Sequence, residues 1–284
     1  MSTNLVIPAS DLQALKAAGF TPPTPKPLKP PRITIASEGK TKNGKTHFAV
    51  MTPPDPLAYI MLDPGALQLA DKAIARGRKI LSKYIAHSKK ESQDEAKKLW
   101  QEYRASIRAV MGAKNIRTLV IDTIDEAWEL LQMAEFGKLK QNNKFAYGAL
   151  NAEFSGLIDE VYYGRPDLNV IYIRRVKKLY VNTKKANGDD ESGWDGKSME
   201  PKGYKDLDYM VDMSIVHSFK GGQFQFETKT SEATRFGGEY SGLTFIGDEC
   251  SFPELAMYIF KDAETSKALG FQDGSDPELW GISL

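Results

Sequence analysis

Residues 35–50 read IASEGKTKNGKTHFAV: one glycine, four polar residues, then Gly44-Lys45-Thr46 and an apolar tail. Two readings compete for this stretch, a solvated lysine-rich turn and a loop that holds phosphate. A glycine-rich turn between a buried strand and a helix points successive backbone N–H groups inward, where they cradle phosphate oxygens. A lysine in such a loop reaches the outer phosphates, and the hydroxyl after it can ligate Mg²⁺. The flanks decide between the two. RITIAS (32–37) has strand character, and THFAVMT (46–52) continues as a helix. The spacing therefore predicts a phosphate loop made of Gly39, Lys40, Thr41, Lys42, Asn43, Gly44, Lys45, Thr46 and His47, with ATP and Mg²⁺ as its ligands.

Outward from the loop, LAYIMLD (57–63) has strand length and ends in an Asp63-Pro64-Gly65 turn signal. Residues 66–114 read as helical, with Ala96, Leu99, Trp100, Tyr103, Ile107 and Val110 at helical spacing. RTLVID (117–122) is nearly all apolar, as expected of a strand buried on both faces. A helix follows, with Ile124, Ala127, Trp128 and Leu131 on one stripe; another covers about 145–162, ahead of the strand LNVIYIRR (168–175). Strands alternating with helices imply an α/β fold, a mainly parallel sheet with helices on both faces. Residues 182–205 are polar, charged and glycine-rich and read as a long loop. Two β-rich runs, 208–219 and 222–230, meet at Gly221-Gly222 and predict an antiparallel β-hairpin extension on the C-terminal side. A helix near 252–268 and an acidic end complete the chain. This gives an N-terminal arm and proline-rich linker (1–31), an ATPase domain (32–260) and a C-terminal tail (261–284). The arm reads either as a frayed tail or as a segment docking on a neighbouring subunit.

Asp122, closing a buried strand taken to lie beside the loop's strand, is suited to orient the water shell of Mg²⁺. It could instead cap the helix that follows, although Thr123 or Asp125 fits that task more naturally. Thr123 stands where many ATPases of the AAA+ type have glutamate, so the water-positioning carboxylate is sought elsewhere. Asp63 is the candidate, with simple turn formation as its alternative role.

The bulk numbers narrow the field. Lys+Arg total 38 against 37 Asp+Glu, so the net charge of +1 gives no global field towards nucleic acid or membrane. One cysteine, Cys250, and three histidines (His47, His87, His217) argue against a disulfide framework or a zinc centre. No leader and no membrane-length apolar run is apparent, and a cytoplasmic location is expected.

With these residues assembled, the chain resembles RecA-like P-loop ATPases, and most closely a phage-encoded group of ATP-binding proteins and single-strand annealing recombinases. The likeness runs from about Arg32 to Ile259. It rests on the phosphate loop, TLVIDT (118–123), FAYGALNAEF (145–154) ahead of LNVIYI, and FETKTSEATRFGG (226–238). No guanine-reading NKxD pattern is visible, and no lid-like arginine cluster suggests a small-molecule kinase.

The resemblance implies a γ-phosphate sensor after the fourth strand, where Arg174 and Arg175 stand in place of the expected amide or histidine. It implies a mobile loop over about 177–205 that contacts single-stranded DNA, here with Lys177, Lys178, Lys184, Lys185, Lys197, Lys202, Lys205 and Trp194. Asp189, Asp190, Glu191 and Asp195 in the same loop fit a merely solvated segment as well. It also gives Lys229 and Arg235 the place of a basic pair that reaches a neighbour's γ-phosphate in a ring or filament. The implied function is ATP-dependent DNA recombination. The alternative is an ATP-switched partner or loader of a phage replication module that meets DNA only through another protein.

Overall fold

The computed structural model describes residues 13, 17–19, 27–88, 90–139, 146–184, 190–230, 234 and 236–282, with only the backbone of 180–184 and 190–198. Strand β1 (Thr34–Gly39) is buried along its whole length and leads into helix α1 (Lys45–Met51). Then come β2 (Leu57–Met61), α2 (Leu67–Ala75), β3 (Ile80–Tyr84), α3 (Gln93–Gly112), β4 (Thr118–Asp122), α4 (Ile124–Phe136) and α5 (Tyr147–Gly164). The C-terminal half holds β5 (Asn169–Lys184), β6 (Asp190–Pro201), α6 (Leu207–Met210), β7 (Met213–Lys220), β8 (Gln223–Lys229), β9 (Thr244–Ile246), α7 (Phe252–Ile259) and α8 (Ala263–Ala268).

The sheet runs β3-β2-β4-β5-β1-β7-β8-β9. Every pair from β3 to β7 is parallel, while β8 and β9 add antiparallel. Both faces are covered, as parallel strands require. Along β4, Leu119 and Ile121 pack with Trp100, Trp128 and Phe154 on one face. Val120 joins Phe48, Tyr59 and Phe252 on the other. One expectation is corrected here. β4 does not lie beside β1, because β5 is inserted between them, in register with Gly39 at Arg175 and with Asp122 at Ile173.

The stretch 66–114 is not one helical region. Gly77, at φ +87°, ends α2, and β3 follows as an edge strand. Only Ile80 and Tyr84 of β3 are half-buried, so neither an apolar run nor a clean alternation marks it in the sequence. α3 then starts on a reciprocal cap: Glu95 N donates to Ser92 Oγ at 3.3 Å, and Ser92 N donates to the Glu95 carboxylate at 2.9 Å.

The long loop expected over 177–205 is also corrected. β5 continues to Lys184 and pairs antiparallel with β6, so that Tyr180 faces Trp194 across the ladder. Backbone hydrogen bonds form this ladder, and composition alone reads such a polar, glycine-rich segment as loop. The expected β7–β8 hairpin is present; Gly221 and Gly222, at φ +59° and +80°, supply the two left-handed positions of its turn. The helix expected over 252–268 is two helices, the second capped by Asp262, whose carboxylate accepts from Thr265 N at 2.7 Å.

Beyond α8 the chain folds back onto the core. Trp280 stacks on Phe260 with centroids 5.1 Å apart, and its Nε1 donates to Gly274 O at 2.8 Å. Phe271 packs edge-on against Phe260 at 5.3 Å. Lys29, at the end of the proline-rich run, pairs by its backbone with this tail. Its N donates to Gly270 O at 3.2 Å, and Gln272 N donates to its O at 2.7 Å.

Candidate functional site

The carboxyl ends of β1, β2, β4 and β5 meet on one edge of the sheet, where open parallel sheets bind their ligands. Gly39 leaves β1 at φ +146°, and a Cβ there would stand 2.6 Å from His217 O, so only glycine fits. Gly44, at φ +90°, turns the chain into α1. Between them Lys40, Thr41 and Lys42 are exposed, and Asn43 Nδ2 donates to His217 O at 3.1 Å, tying the loop to β7.

Lys45 is buried, its ammonium donating to Gly39 O at 2.9 Å and Lys40 O at 2.7 Å. Burial presses it below the ordinary lysine value, opposed by the charges of Asp122 and Asp125. Thr46 Oγ1 donates to Asp122 Oδ2 at 3.1 Å. Tyr59 OH donates to the same oxygen at 2.8 Å. Burial pushes the Asp122 carboxyl up to about 6, although these two hydrogen bonds pull the other way. The β2–β4 register explains Tyr59: Met61 pairs with Asp122, which puts Tyr59 on the same face two residues earlier.

Asp63 lies two residues past the end of β2. Its N donates to Asp122 O at 3.3 Å, and its Oδ1 accepts from Gly65 N at 2.8 Å. The structure thus places Asp63 beside Asp122 and also gives it the turn-forming bond. His47, one residue beyond Thr46, is exposed on α1.

Arg175, beside Gly39 in the sheet, is tied to the start of α4. Its Nε donates to Asp125 Oδ2 at 2.7 Å, its backbone N to Asp125 Oδ1 at 3.2 Å, and its guanidinium also pairs with Glu126. Lys202, at the foot of the β5–β6 hairpin, pairs with Glu129 at 2.7 Å and lies 3.7 Å from Asp125. Gly203, at φ +87°, seats its backbone on Asp125; an added Cβ would lie 2.8 Å from Asp125 Cβ. Arg174 is fully buried and pairs with Glu38 at 2.5 Å and with Asp208.

The remaining sites expected from sequence are more dispersed. Lys177 and Lys178 are exposed on β5, and Lys177 pairs with Glu200 at 3.1 Å. Lys184 and Trp194 have only their backbone described, and Lys185 and Arg235 lie outside the described residues. Lys229 is exposed at the end of β8, opposite Ser214.

Several members of the site escape sequence reading. Tyr59 hides in an apolar run. His217 is buried with Nε2 2.9 Å from Ser37 Oγ, and burial drives it down to about 3, so the ring is neutral. Only the strand order brings either residue to the loop.

A hydroxyl and a carboxylate 3.1 Å apart suit Mg²⁺, which binds through one or two protein oxygens and keeps most of its waters. Among the described residues no cluster of three or more His, Cys, Asp or Glu could hold a metal alone.

Residues 30–236, which contain the loop, Asp63, Asp122 and both hairpins, match the AAA domain family. The chain belongs to that family. This AAA domain is a P-loop ATPase core by its loop, its strand order and its family. No curated protein matches the chain. It is similar to a solved structure described as "Structural and biochemical analysis of a prototypical ATPase from the type III secretion system of pathogenic bacteria". That similarity is 11% identity over 77% of this chain and 65% of that one, with a TM-score of 0.41. The AAA domain chain thus spans less than two thirds of that protein's length. No helix among its described residues is long and apolar enough to cross a membrane.

Proposed function

We propose that the protein binds ATP with Mg²⁺ in the loop 39–47 and hydrolyses it to drive a RecA-like recombination activity on single-stranded DNA. The reading includes the phage-encoded annealing group, a ring or filament of copies and a cytoplasmic setting. The observation that carries the ATP part is the Thr46–Asp122 hydrogen bond of 3.1 Å with buried Lys45 as its neighbour along α1. In this reading Lys45 and the loop amides hold the outer phosphates, and Thr46 and Asp122 hold the magnesium with its waters. The metal would neutralise charge on the phosphates. Asp63, beside Asp122, orients the attacking water. Arg175 is the sensor; it adjoins Gly39 in the sheet and is also joined to the foot of the β5–β6 hairpin, since Lys202 N donates to Arg175 O at 2.8 Å. Lys229 and Arg235 reach the nucleotide of a neighbouring copy.

For DNA, the supporting feature is the β5–β6 hairpin, whose strands include Lys177, Lys178, Lys184 and Trp194, with Lys185 next in sequence after β5. One observation favours the second reading, an ATP-switched partner or loader of a replication module: Lys177 is already paired with Glu200. The ATPase rate with and without single-stranded oligonucleotide separates the two. Stimulation by DNA, lost at high salt and on Trp194→Ala, is expected of a DNA-binding hairpin. A rate indifferent to DNA supports the switch.

A further inference from the structure

Tyr59 sits in the middle of β2, fully buried, and its hydroxyl ends on the Asp122 carboxylate. We propose that Tyr59 is a positioning residue for magnesium: its hydroxyl fixes the Asp122 carboxylate in the orientation that receives the Mg²⁺ of bound ATP. This rests on the reading of Thr46 and Asp122 as the magnesium pair. It extends that reading to a residue outside both the loop and β4.

The first support is the shared oxygen. Thr46 Oγ1 donates to Asp122 Oδ2 at 3.1 Å, and Tyr59 OH donates to the same atom at 2.8 Å. The terminal torsion of an aspartate is broad, so a single hydrogen bond leaves the carboxylate free to swing. Donors from two different elements remove that freedom. Among the described residues no donor reaches Oδ1, which leaves that oxygen for the hydrated cation.

The second is where the hydroxyl comes from. Tyr59 pairs with Val120 in the β2–β4 ladder and belongs to the same core cluster as Phe48, Val120 and Phe252. Its approach to Asp122 is therefore set by the sheet and not by the state of the loop. Thr46 differs, because it stands in the first turn of α1 and is itself assigned to the metal. Tyr59 is the donor with no second task. A phenol titrates at about 10, so at neutral pH it carries the proton that it donates.

The third is the contrast with other buried tyrosines. Tyr103 and Tyr172 are also buried, but their hydroxyls have no hydrogen-bond partner, and their rings contribute packing alone. The Tyr59 hydroxyl instead stands directly behind a carboxylate assigned to the metal. Losing such an outer partner typically costs about 10- to 100-fold in metal affinity or activity.

The test is calorimetric titration of the full chain with ATP, in saturating Mg²⁺ and in EDTA, on wild type, Tyr59→Phe and Tyr103→Phe. Wild type should bind ATP more tightly in Mg²⁺ than in EDTA. Tyr59→Phe should shrink that ratio about tenfold or more while its affinity in EDTA stays within about twofold of wild type. Tyr103→Phe should match wild type in both conditions. Tyr59→Met, which also fills the site without a hydroxyl, gives the same reading if Tyr59→Phe does not fold. A wild-type ratio in the Tyr59 variant overturns the inference. So does an equal loss of affinity in both conditions, or a ratio reduced as much by Tyr103→Phe. Wild type that binds ATP equally well with and without Mg²⁺ overturns the Thr46–Asp122 magnesium pair and the role of Tyr59 with it. Wild type that binds no ATP in either condition overturns the phosphate-loop reading itself.

Discussion

Thr46 and Asp122, 76 residues apart in sequence, meet through a hydroxyl–carboxylate hydrogen bond of 3.1 Å at the mouth of the phosphate loop. The pair joins the first turn of α1 to the end of β4, although β5 separates their strands in the sheet. The carboxylate is 3% exposed, so its charge is held at a cost that a bound cation would remove.

That cost gives a pH dependence with a definite sign. The folded Asp122 carboxyl sits at about 6 against an ordinary value of 3.8. The native state therefore binds more protons than the unfolded chain between those values. The contribution of Asp122 to the stability of the ligand-free protein therefore falls as pH rises from about 4 through about 6, and levels off above that. Asp122→Asn should raise the ligand-free melting point at pH 7.5, by roughly 1–3 kcal/mol of stability, and change it little below pH 4. The same variant should weaken Mg²⁺-dependent ATP binding. Melting curves across pH check both signs, and destabilisation by Asp122→Asn at pH 7.5 would count against a costly buried charge.

Asp63→Asn should keep ATP affinity near that of wild type and reduce turnover by about 10²-fold or more, because a positioned general base contributes on that scale. The amide can still accept from Gly65 N, so the turn survives. Single-turnover hydrolysis measures the effect. Equal rates in the two proteins return Asp63 to turn formation alone.

Gly203→Ala forces a Cβ to within 2.8 Å of Asp125 Cβ at a backbone φ of +87°. It should destabilise the fold by about 1–3 kcal/mol through strain. It should also loosen the contact among Asp125, Arg175 and Lys202 that ties the β5–β6 hairpin to α4. Chemical denaturation gives the first effect, and hydrogen exchange at the backbone of 176–184 gives the second. Exchange unchanged in a destabilised protein would mean that the hairpin is held independently of α4.

Much of this arrangement is legible in the sequence, for physical reasons that differ by element. The phosphate loop and Asp122 can be read because their determinants are local: glycines, a lysine and a buried apolar strand lie within a few residues of one another. Gly221-Gly222 announces its hairpin in the same way. β3 is hidden because it is an edge strand with little to bury, and β6 because its sequence is polar and glycine-rich, without the apolar alternation that marks a strand. Tyr59, His217 and the Glu38–Arg174–Asp208 cluster depend on strand order. No window of sequence reveals which strands become neighbours.

Lys229→Ala and Arg235→Ala should each lower ATPase activity, and mixing either with Lys45→Ala should restore part of it. Each defect then lies on a different side of a shared site, so mixed assemblies contain some intact ones. The rate should also rise with protein concentration. Mixtures as inactive as their components, or a specific rate independent of concentration, would contradict a site shared between copies.

The most direct test is thermal unfolding of wild type and Lys45→Ala with and without Mg-ATP. A ligand bound only to the native state at about 100 times its Kd adds roughly 2.7 kcal/mol, or roughly 5–10 °C for a chain of this size. Wild type should show that rise, and Lys45→Ala should melt as a folded protein and show none. A wild-type curve unmoved by Mg-ATP, or an equal rise in Lys45→Ala, would contradict nucleotide binding in the loop 39–47.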